Sequence, residues 1–372
     1  MMRLLSRLVD CVSLRPWISF GITGILCLFL IGCQRQAPPP KYSIVVIPKG
    51  MTHEFWQSIH RGALRAKAEL ALEGIDIEIV WNGPLRETDT LDQIQIVDRR
   101  IANGSSGIVL APQHSRIMTA PVKRAVQENI PVVIIDSGLG DLNLIVKYVA
   151  TDNYNGGWLA AEHLWKCLEE RGITEPRLIL LRYQVGSEST EQREKGFLDY
   201  FDPSNQNRPR KRPPPKKVTW VSTDKYAGAT RDSASREAAP LVQQFKDQID
   251  AIFAPNESSA SGTLDVLRSQ GLNKKILLMG FDASKPLLQA IAEGDVLGSI
   301  IQDPYNMGFL SVFTIVRHLE GDDVSEGRTR LNQSTGEYLV TKENVTDEET
   351  VKLFDPELQK RRVMEKPHFP RR

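Results

Sequence analysis

Residues 42–81 read YSIVVIPKGMTHEFWQSIHRGALRAKAELALEGIDIEIVW, and this stretch decides the fold. Tyr42–Ile47 is a short apolar run rich in β-branched side chains, which suits a strand buried on both faces. From Phe55 to Leu72 the apolar residues recur at helical spacing, and Ile75–Trp81 returns to a strand pattern. A helix between two buried strands is the βαβ unit, whose strands run parallel. Gly74 sits where the helix should stop, a position that favours glycine because the backbone turns left-handed there.

Outward from this unit the pattern repeats. Leu91–Ala102 and Met118–Glu128 read as helices, Gly107–Leu110 and Pro131–Ile135 as strands, with Gly104 and Gly172 as further helix stops. A second series begins after Val149. Its strands are Leu178–Leu181, Val218–Val221, Ile249–Phe253, Ile276–Met279 and Val296–Ile301. The helices between and around them are Gly157–Arg171, Glu191–Tyr200, Ser235–Phe245, Gly262–Gln270, Pro286–Ala292 and Met307–Leu319. Two consecutive βα series of similar size predict an α/β fold of two doubly wound parallel-sheet lobes, not one large sheet.

Composition agrees with that division. A chain of 372 residues suggests about two domains at roughly 150 residues each. Lys+Arg 47 against Asp+Glu 46 gives a charge of +1, which leaves no global field directed at nucleic acid or acidic lipid. With 41% hydrophobic and 25% charged residues the chain is neither disordered nor collagen-like. A mean hydropathy of −0.28 excludes a polytopic membrane protein.

The first forty residues stand apart. Arg3, Arg7 and Arg15 precede an uncharged apolar run, Ile18–Ile31, which is shorter than the roughly 20 residues of a spanning helix and suits a signal-peptide core. It ends in Leu30-Ile31-Gly32-Cys33, which resembles the lipobox of bacterial lipoproteins, with Cys33 as the lipidated first residue of the mature chain. An uncleaved single-span anchor is the alternative. Without residues 1–32 the balance is 44 basic to 45 acidic side chains, and with Cys33 carrying lipid only Cys167 remains, so no disulfide can form within the mature chain. The proline-rich QRQAPPPK after Cys33 reads as a tether. A basic, proline-interrupted insertion, Asn205–Lys217, reads as a solvated surface loop, not a nucleic-acid patch. Residues from Glu343 on read as a peripheral or disordered tail.

In open α/β sheets, ligands bind beyond the carboxyl ends of the strands. Nearly every strand here empties into polar or aromatic residues: Lys49 to Trp56, Asn82, Gln113-His114, Asp136-Ser137, Tyr183-Gln184, Asp224 to Tyr226, Asn256-Glu257, Asp282 and Gln302-Asp303. Any one of them reads equally well as a helix N-cap. Their recurrence across both series suits a sugar, whose hydroxyls meet paired donors and acceptors while its C–H faces meet aromatic rings. Phosphate would need a glycine-rich cradle, and neither G-x-G-x-x-G nor G-x-x-x-x-G-K-[ST] occurs. There is no G-x-S-x-G elbow, and the six histidines are scattered without H-E-x-x-H spacing, so neither a catalytic serine nor a metal site is expected.

The segments VIPKGMTHEFWQSIHRGA, GIVLAP, IPVVIIDSGL, ATDNYNGGWLAAEHL, STEQREKGF, IFAPNESSASGTLDVL, MGFDAS and SIIQDPYNMG together carry a resemblance. From about Tyr42 to Val345 the chain resembles the type I periplasmic binding proteins of the ribose and galactose class, the sugar-capturing components of ABC importers. The resemblance implies three hinge crossings, near Val149–Thr151, at Gln302–Asp303 and near Arg330. The expected organisation is a lipoprotein signal peptide (1–32), a tether (33–41), a first lobe (42–149 with 303–330), a second lobe (150–302 with 331–345) and a tail (346–372). It implies that Phe55 and Trp56 stack on the ligand, with His53 at a position often polar. Asp136 resembles the first-lobe carboxylate that bonds sugar hydroxyls, and Arg193 or its neighbour Glu191 holds the family's usual arginine position. Tyr226, Asn256, Asp282 and Gln302 match second-lobe and hinge contacts. Ser137 departs from the ribose type, in which an arginine commonly follows the aspartate, and so removes a bidentate donor from that corner. The expectation is a monomeric, lipid-anchored, extracytoplasmic protein that binds a monosaccharide or polyol, needs no cofactor or metal, and docks on an ABC permease. The same fold also serves sensors that present a ligand to a chemoreceptor or kinase, and Asp136 with Asp282 leaves a secreted carbohydrate-active enzyme as a third reading.

Overall fold

The computed structural model describes residues 39–205, 209–324 and 332–370. The expected signal peptide, Cys33 and most of the tether lie outside the described residues. Among the described residues no helix is long and apolar enough to cross a membrane.

Two six-stranded sheets form, each flanked by helices. The first contains β1 (Tyr42–Ile47), β2 (Ile77–Trp81), β3 (Gly107–Leu110), β4 (Val132–Ile135) and β5 (Lys147–Ala150), with α1 (Glu54–Leu72), α2 (Thr90–Ala102) and α3 (Thr119–Gln127) between them. After α4 (Asn153–Glu170) the second begins: β6 (Arg177–Leu180), α5 (Glu188–Phe201), β7 (Thr219–Ser222), α6 (Arg231–Phe245), β8 (Ala251–Phe253), α7 (Glu257–Ser269), β9 (Leu277–Phe281), α8 (Lys285–Glu293) and β10 (Gly298–Gln302). The chain then returns through α9 (Pro304–Leu319), β11 (Asn332–Ser334), β12 (Glu337–Thr341), α10 (Glu348–Val351) and α11 (Pro356–Arg361). The strand orders are β11-β5-β4-β3-β1-β2 and β12-β10-β9-β8-β6-β7, the same path over five parallel strands, with the sixth parallel in the first sheet and antiparallel in the second. All four residues of β3 and of β4 are buried, as strands covered on both faces require.

The duplication extends to the helix contacts. In α1 and α9, a Cβ on Gly62 would lie 1.9 Å from the Tyr305 carbonyl oxygen, and one on Gly308 2.0 Å from that of Ile59. In α4 and α5, Gly157 faces the Arg193 carbonyl oxygen at 1.9 Å and Gly196 that of Tyr154 at 2.0 Å. Each lobe therefore has a helix pair packed backbone to backbone, which only a missing side chain permits.

Two expectations need correction. The third crossing does not fall near Arg330: β11 still pairs with β5 in the first sheet, so the chain crosses between Ser334 and Glu337. The segment after 345 is not a loose tail. Leu353 is buried with the second-lobe core, Gln359 is fully buried and Phe369 is 8% exposed. Its apolar residues are too sparse for a periodic signal, yet Leu353 and Phe369 are buried, while Val363 stays exposed. The basic insertion is a surface loop, as expected, with Pro209, Lys211, Pro213, Lys216 and Lys217 exposed, and it is anchored at a few points. Arg210 donates to the Tyr200 and Asp199 carbonyls and lies over Trp158, while Lys211 and Arg212 pair with Glu162 and Glu169 on α4. Two acidic residues on that helix, whose place is invisible until α4 is built, thus meet two of its charges, and Lys217 pairs with Glu175 beyond the helix.

Candidate functional site

A cavity of ≈ 240 Å³ lies between the lobes at the carboxyl ends of both sheets. His53, Phe55, Trp56, Asp136, Arg193, Asn256, Asp282 and Gln302 all line it. Lys49, Glu87, Tyr183, Ser187, Ser189 and Thr190 line it as well.

The two carboxylates occupy equivalent places. Asp136 follows β4 and Asp282 follows β9, the corresponding strand of the other sheet. Both backbones are left-handed, at φ 61° and 67°, a conformation that costs about 1–3 kcal/mol in a non-glycine residue and clusters at ligand sites. Lys49 Nζ pairs with Asp136 Oδ2 at 2.7 Å, with both side chains about 95% buried. Asp282 accepts from Gln302 Nε2 (2.5 Å) and the Glu257 amide (3.3 Å), and Arg193 Nη1 lies 3.5 Å away. Burial raises the Asp282 pKa against the opposing pull of Arg193.

Arg193 is fixed from all sides. Its Nε donates to Asn153 Oδ1 (2.8 Å), its Nη1 to the Pro255 carbonyl (3.0 Å), and the guanidinium lies 3.8 Å from the centre of the Phe281 ring. A planar donor held this rigidly loses little entropy when it meets a hydroxyl pair. Asn256 caps α7 by accepting from the Ser259 amide and also reaches the cavity. Gln302 Oε1 is buried without a hydrogen-bond partner, as is Ser284 Oγ. Such groups carry a desolvation cost that a polar ligand would relieve.

Glu87 had no signal in the sequence. It lies in the loop after β2, yet its carboxylate accepts from Trp56 Nε1 (2.7 Å) in the first lobe and from Tyr183 OH (2.5 Å) in the second, and His53 Nδ1 lies 3.3 Å away. Burial beside Glu87 raises the Tyr183 pKa well above the usual phenol value, which keeps the donated proton in place. Further clasps join the lobes. The Gly138 amide donates to Glu188 Oε2 (2.7 Å), the Ser115 amide to the Gly186 carbonyl (2.9 Å), and Lys49 Nζ to Ser189 Oγ (3.2 Å). The cleft is shut.

Three expected contacts do not line the cavity. Ser137 is fully buried, and its hydroxyl accepts from the Ser189 amide, so it fastens the lobes instead. Glu191 turns back to accept from the Gly186 amide. Tyr226 is 42% exposed under the Arg182 guanidinium, because a bridge to Arg182 pulls it outward. Trp56 is also less available than expected. It is 2% exposed within the first-lobe core, with Phe55 edge-on against it at 4.9 Å, so Phe55 presents the freer ring. Among the described residues no cluster of potential metal ligands occurs.

Two lobes of near-duplicate topology, shut over a cavity that both of them line, define a clamshell ligand-capture protein. The periplasmic binding protein domain matches residues 44–323, and the chain belongs to that family. It is 27% identical to a D-ribose/D-allose-binding protein of Pseudomonas aeruginosa over 81% of this chain and 89% of that protein. It is 24% identical to a ribose import binding protein of Haemophilus influenzae over 82% and 94% of the two chains. Among solved structures, a carbohydrate-transporter solute-binding protein from Agrobacterium radiobacter, in complex with D-arabinose, superposes with a TM-score of 0.75 at 27% identity, covering 86% of this chain and all of that one. A periplasmic component of a sugar transport system from Hahella chejuensis gives 0.70 at 29% identity, covering 80% and 99%.

Proposed function

We propose that this protein captures a monosaccharide or small polyol outside the cytoplasm and hands it to an ABC import permease. The observation that carries the reading is the pair Asp136 and Asp282, equivalent carboxylates from the two lobes that share one cavity. Each has a basic partner, Lys49 or Arg193, so a hydroxyl at either corner meets an acceptor beside a donor. Phe55 supplies an apolar face. Relatives named for ribose and allose and a neighbour holding D-arabinose support the sugar class. Ligand contacts from both lobes exist only when the cleft is shut, so binding shifts the population toward the closed form, which is the form a permease would recognise. No turnover is proposed. Lys49 and Arg193 hold the two carboxylates as binding groups, and the relatives are named as binding proteins.

Two further parts belong to the proposal. Cys33 carries the lipid anchor after cleavage of residues 1–32, and the protein works as a monomer. The mass of the mature amino-terminal peptide should show a diacylated Cys33, and the same peptide from Cys33→Ala should be unmodified. For the ligand, a thermal-shift screen of the full chain against pentoses, hexoses and polyols should raise the midpoint with at least one sugar. No shift with any of them would sink the sugar reading.

A further inference from the structure

A second cavity, ≈ 280 Å³, adjoins the first and shares Glu54, Phe55, Asp282, Ala283, Ser284 and Gln302 with it. Its character differs. Beyond the shared residues it has an apolar wall of Leu288 and Ile301 from the second lobe, Pro304 at the hinge, and Leu353, Phe354 and Pro356 from the C-terminal segment, beside the polar Gln57, Ser58, Arg61, Lys285 and Asp355. The segment after 345 therefore helps to build this chamber. Leu353 and Phe354 pack with the second-lobe core, and Gln359 holds the next turn by donating to Ser58 Oγ (2.9 Å) on α1. The two buried acceptors without partners, Gln302 Oε1 and Ser284 Oγ, sit among the residues common to both chambers. The cavity with the polar corners for a sugar ring and the cavity with the apolar wall thus meet at these atoms.

We propose that the physiological ligand is a glycoside: a sugar ring in the first chamber carrying an apolar substituent that occupies the second. The inference rests on the sugar-binding reading above. Oxygens of the sugar meet Gln302 and Ser284, which removes their desolvation cost. The substituent gains by leaving water for Phe55, Leu288 and Phe354. A free monosaccharide fills only the first chamber and binds more weakly.

The test is calorimetric titration of the full chain with free D-ribose, D-arabinose, D-allose and D-fucose, each against its phenyl α- and β-glycosides. At least one phenyl glycoside should bind about tenfold or more tighter than its free sugar, with a more negative heat-capacity change from the added apolar burial. Leu288→Trp, which fills the second chamber from a residue outside the first, should abolish that advantage and leave the free sugar unchanged. Should Leu288→Trp fail to fold, a crystal structure of the wild-type complex decides, with the phenyl ring expected against Leu353 and Phe354. Free sugars that bind while every phenyl glycoside is excluded, or a ring projecting into solvent, would overturn the second chamber and leave the sugar reading standing. If neither free sugars nor glycosides bind, the sugar reading itself fails.

Discussion

Glu194 is 2% exposed, and burial pushes its pKa up to about 7 from an ordinary value of 4.5, although Arg182 Nη1 lies 2.5 Å from its carboxylate. Between these two values the folded chain holds the extra proton, so this residue's contribution to stability falls as pH rises from 4.5 to 7. Wild type should therefore lose stability relative to Glu194→Gln across that window in denaturant titrations, and parallel curves would contradict the assignment. Glu87 belongs to the same scale. Replacing it with Gln removes the charge that ties Trp56 to Tyr183 across the cleft, and ligand affinity should fall about 10- to 100-fold while the melting temperature of the unliganded protein stays within a few degrees. Lys49 and Tyr183 follow their strands closely and were open to a reader of strand ends. Glu87 was not, because a carboxylate in the middle of a loop acquires meaning only when two aromatic donors from different lobes converge on it.

The helices repeat this lesson. Hydrophobic spacing starts α5 at Glu191, α7 at Gly262 and α9 at Met307, whereas they begin at Glu188, Glu257 and Pro304. Those first turns are polar because they open onto the cleft or the hinge, so their residues answer to hydrogen bonds and not to the core. Asn256 and Asp303 each accept an amide of the first turn as N-caps. The sequence periodicity thus weakens where the site is built. The strand pattern was legible throughout except for β5, β11 and β12, short or half-exposed strands at the hinge. At the α1–α9 contact the sequence shows two glycines but not that they face a carbonyl. Gly308→Ala would drive a methyl to 2.0 Å from the Ile59 oxygen, and forcing the helices apart should cost about 1–3 kcal/mol in chemical denaturation. An unchanged midpoint would mean that the helices separate freely.

For the molecule as a whole, the C-terminal segment acts as a fourth tie between the lobes beside the three hinge crossings. Leu353 is buried with the second lobe, Gln359 binds α1 of the first, and Arg362 forms a two-pronged ion pair with Asp303 at the hinge, at 2.7 and 2.5 Å. Asp303 is 1% exposed. Arg362→Ala leaves that buried charge without its cation, held only by the Asn306 amide, and should destabilise the protein by about 3–5 kcal/mol. Adding Asp303→Asn should return part of the loss, and a double variant no better than the single would remove the pair from the account. The duplicated topology places Asp136 and Asp282 at matching strand ends of separate lobes, so one ligand held by both is the central claim. Calorimetric titration of the full chain with the sugar that raises its melting point most tests it directly. One sugar should bind per chain, and Asp136→Asn and Asp282→Asn should each weaken binding about 10- to 100-fold without unfolding the protein. A sugar whose affinity survives either substitution would contradict capture between the two lobes.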